Sequence, residues 1–221
     1  MKNVIKLNLL VLLVLGLMAA CKGDKAQKAN ESAEVAEQTG QTLTVDTGAS
    51  VINWTGSKPT GSHTGTINLS EGSVSIEDGK VTGGEFTMDM NSITVTDMDG
   101  DMKADLEAHL KGTEEGKEDH FFNVAKFPTA SFAVTKVTQV ANSEDSNALV
   151  YGNLTLKGIS KNVSFPAMTS MAEGALTVTS KPFKINRTDW GIQFMSNSVF
   201  DDLKDQFIND DIELSVSVVA K

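Results

Sequence analysis

Between Leu43 and Lys221 the chain is built from short segments in which apolar and polar side chains alternate, the period of two that sends successive side chains to opposite faces of a β-strand. Val81–Met90 places Phe86, Met88 and Met90 on one face and Glu85, Thr87 and Asp89 on the other. Ala130–Val140 pairs Phe132 with Val134. Leu149–Lys157 groups Val150, Gly152, Leu154 and Leu156, and Ile159–Ala167 sets Ile159, Val163 and Phe165 against Ser160, Asn162 and Ser164. The chain closes on Ile212, Leu214, Val216 and Val218, alternating with Glu213, Ser215 and Ser217. Turn chemistry separates these runs: Glu77-Asp78-Gly79-Lys80 predicts a tight hairpin, because glycine takes positive φ without steric cost, and Leu156-Lys157-Gly158-Ile159 predicts another. One segment has a helical period: Met102, Leu106 and Leu110 recur every fourth residue in Asp101–Lys111, behind the acidic run Asp97–Asp101. About eight alternating strands with a single helical interruption predict an all-β fold, an antiparallel barrel or a sandwich, and periodicity alone does not separate the two.

The first forty residues have a different pattern. Lys2 and Lys6 precede an apolar run from Leu9 to Ala20, and the small residues Ala19-Ala20 stand before Cys21. That is the layout of a secretory signal, and a run of roughly 10 to 14 apolar residues is too short for a permanent bilayer span. Leu17-Met18-Ala19-Ala20-Cys21 resembles a bacterial lipobox, so residues 1–20 are expected to be a lipoprotein signal peptide and Cys21, the only cysteine in the chain, the lipidated N-terminus. Residues 21–41, rich in Lys, Glu, Ala and Gln with no aromatic residue, predict a flexible tether with an end-to-end distance of about 25 Å. Residues 42–221 are expected to form one folded domain. Lys22 after Cys21, where an aspartate would favour inner-membrane retention, points to the outer membrane, on its periplasmic face or at the cell surface.

Charge and composition narrow the function classes. Nineteen basic against 29 acidic side chains give a formal net charge of -10, which leaves little for a phosphate-tracking surface and argues against nucleic acid as a partner. One cysteine excludes an intrachain disulfide framework, and with three scattered histidines it leaves too few soft ligands for a zinc cluster, so neither metal nor cofactor is expected. Asp97-Met98-Asp99-Gly100-Asp101 starts like a calcium loop, but its glycine is fourth rather than sixth and Ala108 stands where the twelfth-position glutamate belongs, so it reads as a turn and helix cap. No nucleophile elbow, phosphate loop or dinucleotide fingerprint occurs, and the expectation is a binder rather than an enzyme.

Four blocks, in order, carry a family resemblance: Asp105–Lys111 (DLEAHLK), Asp119–Phe132 (DHFFNVAKFPTASF), Gly152–Lys161 (GNLTLKGISK) and Arg187–Ile192 (RTDWGI). Together they resemble the YceI-like family over nearly the whole domain, and Lys58-x-x-Gly61-x-His63-x-Gly65 after Trp54 is similar to its lipoprotein branch. The resemblance implies an eight-stranded antiparallel lipocalin-like barrel with one short helix. It further implies an apolar cavity holding a polyisoprenoid, an isoprenoid quinone, a fatty amide or another long-chain amphiphile in the cell envelope, and homodimers in many members. Gly112–Glu118 lengthens the connection after the helix, and Trp190 replaces the more usual phenylalanine.

On this reading Phe86, Met88, Met90, Phe132, Leu154, Leu156, Phe165, Trp190, Ile192 and Phe194 are the candidate cavity lining. Each buried ligand methylene is worth about 0.8 kcal/mol, so length and shape would set affinity. Arg187 and His109 are candidates to meet a polar head; the alternatives are a buried pair of Arg187 with Asp189 or another carboxylate, and a helix-end role for His109 near Lys111. His63 reads as structural. Two further functions fit the same pattern, a ligand-free surface interaction module and an enzyme acting on the lipid.

Overall fold

The computed structural model describes residues 26, 29–141 and 144–221; the predicted leader and Cys21 lie outside them. Eleven strands and one α-helix follow in order: β1 (Asn30–Glu31), β2 (Gln41–Thr44), β3 (Val51–Lys58), β4 (Gly61–Glu77), β5 (Lys80–Val95), α1 (Gly100–Lys111), β6 (Thr129–Gln139), β7 (Ala148–Leu156), β8 (Ile159–Ala172), β9 (Ala175–Ser180), β10 (Phe183–Asn186) and β11 (Asp211–Ala220). Every ladder is antiparallel, and the strands close into an eight-staved barrel with a single short helix. Two staves are each made of two collinear strands. β2 and β3 share the edge of β4, and β9 and β10 share the edge of β11.

Local chemistry accounts for the turns. Asp78-Gly79, Lys157-Gly158 and Glu173-Gly174 each hold two successive residues at positive φ, the two-residue hairpin geometry whose twist matches its strands. The long strands β4 and β5 slip register at Thr66/Asn68, Leu69/Glu71 and Ser75/Ile76, and such bulges let a strand bend around a barrel. Helix α1 begins one residue before the predicted Asp101. Its acidic approach does not cap it: Asp99 makes no side-chain cap bond, while Asp97 turns back to accept from the Thr64 N–H at 3.0 Å and meets His63 Nδ1 at 3.0 Å. The far end is closed by Gly112 at φ 70°, whose N–H reaches the carbonyls of Ala108 and His109. Phe122 and Val124 donate to the carbonyls of Leu110 and Lys111, which fastens the Phe-Phe turn to the helix end.

The expectation of a flexible tether over residues 21–41 is corrected from Ala29 onward. This segment is a strap on the outside of the barrel. The Ala29 N–H donates to Asp189, β1 pairs with Asn162 and Lys161 of β8, the Ala36 N–H donates to the Val134 carbonyl, and Gln38 packs on Gly83 and accepts from Ser75. Asn153 of β7 holds the peptide of Ala33 from both sides, accepting from its N–H at 2.9 Å and donating to its carbonyl at 2.7 Å. Composition missed the strap because it is fixed by hydrogen bonds from its backbone to side chains and backbone of the barrel, and its one large hydrophobic residue, Val35, stays exposed. The strap has a structural place to fill. β9 pairs with β8 only over Ala167–Ala172 and β10 pairs with β11 alone, so no ladder joins β10 to the first half of β8; Ala29 and Asn30 lie in that seam beside Asn162–Ser164 and Lys184-Ile185.

Candidate functional site

The inward faces predicted by alternation enclose two adjoining cavities on the barrel axis, of about 100 and 120 Å³. The first is bounded by Phe86 and Phe132, with Val150, Phe165, Val178 and Phe183 around it. The second lies toward α1, between Trp54, Met90, Leu156 and Ile212, with Leu110, Phe121 and Phe122 closing its end. Ile52, Met88, Leu154 and Leu214 belong to both and form a waist between them. The accessible lining of both chambers is wholly apolar. Together they exceed the roughly 150 Å³ of an apolar cavity that stays dry and takes up benzene. The interior is hollow.

Two glycines shape the chambers. In the pleat next to Phe132, Gly152 leaves room for the phenyl ring to lie flat on its backbone; next to Trp54, Gly65 does the same for the indole. A Cβ at either position would stand inside the ring. Trp54 Nε1 is buried and is the one buried side-chain nitrogen or oxygen without a hydrogen-bond partner among the described residues.

The structure distributes the sequence-predicted residues unevenly. Phe86, Met88, Phe132, Leu154 and Phe165 face the first chamber, and Met88, Met90, Leu154, Leu156 and Arg187 border the second. Four others stand elsewhere. Trp190 and Ile192 are fully buried in the turn after β10: the Trp190 indole N–H donates to the Leu154 carbonyl at 3.0 Å, and the Ile192 carbonyl accepts from Arg187. Phe194 and His109 lie behind the chamber wall, where His120 stacks on Phe194 at 3.9 Å and bonds His109 at 2.8 Å. Phe121 joins this outer cluster edge-on to His109 while also lining the second chamber.

Arg187 is 1% exposed and is a brace. Its guanidinium donates to the carbonyls of Asn209, Ile192 and Ile208, and its carboxylate partner is Asp210 at 3.4 Å, not Asp189, which holds the strap. Desolvation holds the His109 pKa below the ordinary histidine value, and the charge of His120 adds to the effect. The backbone N–H of Thr64 lowers Asp97, and His63 adds to it. Among the described residues no group of three or more His, Cys, Asp or Glu is placed to hold a metal ion.

Several lining residues were not among the candidates: Trp54, Phe121, Phe122, Val178, Phe183, Ile208 and Ile212. For Trp54 the usable signal was its alternation with Ile52 and Gly56; for Ile208, which lies outside any strand, there was none.

A family model described as the YceI-like domain matches residues 43–220. Among curated proteins, a UPF0312 protein of Shewanella denitrificans is 30% identical over 105 residues, covering 48% of each chain. A UPF0312 protein of an Enterobacter species is 42% identical over 64 residues, 29% of this chain and 28% of that one. The chain thus spans at most about half the length of the curated relatives it matches. Among solved structures, Burkholderia cenocepacia BcnA superposes with a TM-score of 0.59 at 20% identity, over 80% of this chain and 99% of that one. A polyisoprenoid binding domain from Saccharophagus degradans, implicated in plant cell wall breakdown, does so at 0.58 and 16%, over 85% and 99%.

Proposed function

From the premise that this chain belongs to the YceI-like family, we propose that it is an envelope lipoprotein that binds and carries one long-chain apolar molecule, a polyisoprenoid or a lipid of similar length, along the barrel axis. The carrying observation is the pair of wholly apolar chambers that meet at a waist of four side chains. An alkyl or isoprenoid chain threaded through both gains about 0.8 kcal/mol for each buried methylene, less the cost of ordering a flexible tail. The present volume suits a chain of modest length. A longer one is accommodated by rotation of Met88 and Met90, whose unbranched thioethers repack at little cost.

On this proposal Cys21 carries the lipid, the domain is held at the outer membrane, and the protein acts by sequestration and delivery without catalysis. The likeness to a polyisoprenoid binding domain supports the ligand class through a shared fold. Native mass spectrometry of the chain isolated from its own envelope without detergent, followed by extraction, tests the reading. A stoichiometric long-chain species is expected, absent from a Phe132→Glu variant that still folds. An empty barrel that also refuses isoprenoids and fatty amides on titration would overturn the carrier function and favour an interaction module.

A further inference from the structure

One joint in the barrel wall is closed without a ladder. β8 and β10 face each other across it, yet β10 pairs with β11 alone, and β9 meets β8 only over Ala167–Ala172. Side chains hold the wall there. Phe165 of β8 stacks on Phe183 of β10 with ring centroids 4.5 Å apart. Val163 faces the first chamber from one lip and Ile185 the second from the other, so the joint lies at the depth where the chambers meet. Outside it runs the strap. Ala29 and Asn30 fill the crevice between Asn162–Ser164 and Lys184-Ile185, and Ala29 packs against the core. The strap is fixed there by the Ala29 N–H bonded to Asp189 at 3.2 Å, the two-residue pairing of β1, and an ion pair of Lys161 with the exposed Glu31 at 2.7 Å. An exposed ion pair and a two-residue strand open far more readily than a barrel ladder.

Resting on the carrier reading above, we propose that this joint is a lateral port through which the lipid enters and leaves the chambers, and that the strap segment Ala29–Glu31 is its latch. Release of the latch uncovers the lips at Val163 and Ile185, and the Phe165–Phe183 pair then turns aside by rotation of side chains, with no ladder between staves broken. The α1 end is fastened more firmly. The Phe121-Phe122 turn that closes it is tied by backbone bonds from Phe122 and Val124 to the carbonyls of Leu110 and Lys111. A lateral port also suits a long apolar chain. Entering at the waist, the chain extends into both chambers and keeps apolar walls on either side, instead of threading its whole length through one chamber to reach the other.

The test is a crosslink. Glu31 and Lys161 stand opposite each other as an antiparallel pair, a geometry whose Cα separation of about 4.5–5.5 Å is within reach of a disulfide. In the full chain carrying Cys21→Ala, the substitutions Glu31→Cys and Lys161→Cys lock the latch when oxidised and free it when reduced. Stopped-flow mixing with farnesol, a short isoprenoid alcohol, read by the fluorescence of Trp54 beside the second chamber, gives the association and dissociation rates. Oxidation is expected to slow both by about tenfold or more and to leave Kd unchanged, since the latch alters the path and not the site. Asn153→Ala, which loosens the strap at Ala33, is expected to speed both. A control crosslink, Thr44→Cys with Ser73→Cys in the β2–β4 ladder away from the joint, is expected to change neither. Equal rates in the oxidised and reduced forms, or equal slowing by both crosslinks, would overturn the port while leaving the carrier function standing, because the ligand then binds. Failure of the reduced protein to take up farnesol at all would overturn the carrier reading itself, and the port with it.

Discussion

Cavity size is decided at single positions. Gly152 is the clearest, because the Phe132 ring occupies the space of the Cβ it lacks. Gly152→Val is expected to force that ring into the first chamber, at about 1–3 kcal/mol of stability from overpacking. Urea unfolding measures the cost, and a titration with a long-chain ligand should show weakened uptake; unchanged uptake would place the ligand elsewhere. At the waist, Leu154→Phe narrows the passage between the chambers. A chain long enough to span both should lose on the order of tenfold or more in affinity, the worth of about two buried methylenes, while one that fits a single chamber should not. Residues of this kind were readable in the sequence when they lay on regular strands, as Phe86, Met88, Phe132, Leu154 and Phe165 do. Trp190, Ile192, Phe194 and His109 lie in a short 3-10 turn, a loop and a helix end, where no period says which way a side chain points.

The strap and the helix show what alternation does not report at the level of elements. Two-residue turns and alternating strands were legible because each is encoded within a few neighbouring residues. The strap was not, since Ala33 is held by Asn153, 120 positions away. Asn153→Ala removes both bonds to the Ala33 peptide and the acceptor used by Asn162, and is expected to cost about 1–3 kcal/mol. Amide exchange in Ala29–Ala36 should accelerate, together with that of the β8 edge at Lys161 and Asn162; protection that survived the substitution would assign the strap's stability to other contacts. The helix end carries a pH dependence. Because the folded His109 pKa lies below its unfolded value near 6.5, the unfolded chain takes up the proton first. The stabilisation is complete above about pH 6.5 and is lost as pH falls through the lowered folded value. The charges facing His109 are His120, Glu114 and Lys117; Glu114 opposes the shift, and its own pKa, lowered by Lys117, keeps it ionised across this window. Thermal unfolding from pH 7.5 to 5 should show a loss that His109→Gln abolishes, whereas an identical slope in the variant would exclude His109 as the source.

For the molecule as a whole, the closed antiparallel barrel was foreshadowed by the number and spacing of alternating segments, and its choice over a sandwich came from the family blocks rather than from periodicity. The alternation carried no signature of hollowness, because a packed core and a cavity wall use the same side chains, and the expectation of a cavity came from the family blocks alone. The proposed anchoring has a direct check: Cys21→Ala should shift the protein from the membrane fraction to the soluble fraction, and retention on the membrane would rule out acylation as the attachment. If Cys21 is acylated, the strap changes what that anchor does. The folded surface is reached by Ala26, whose N–H is held by Asp211 at 3.0 Å, so only five residue steps separate it from position 21. Fully extended, they reach no more than about 18 Å. The Asp211 rim would then stay within that distance of the anchor, and a lipid exchanging with the barrel there would cross a gap narrower than its own extended tail.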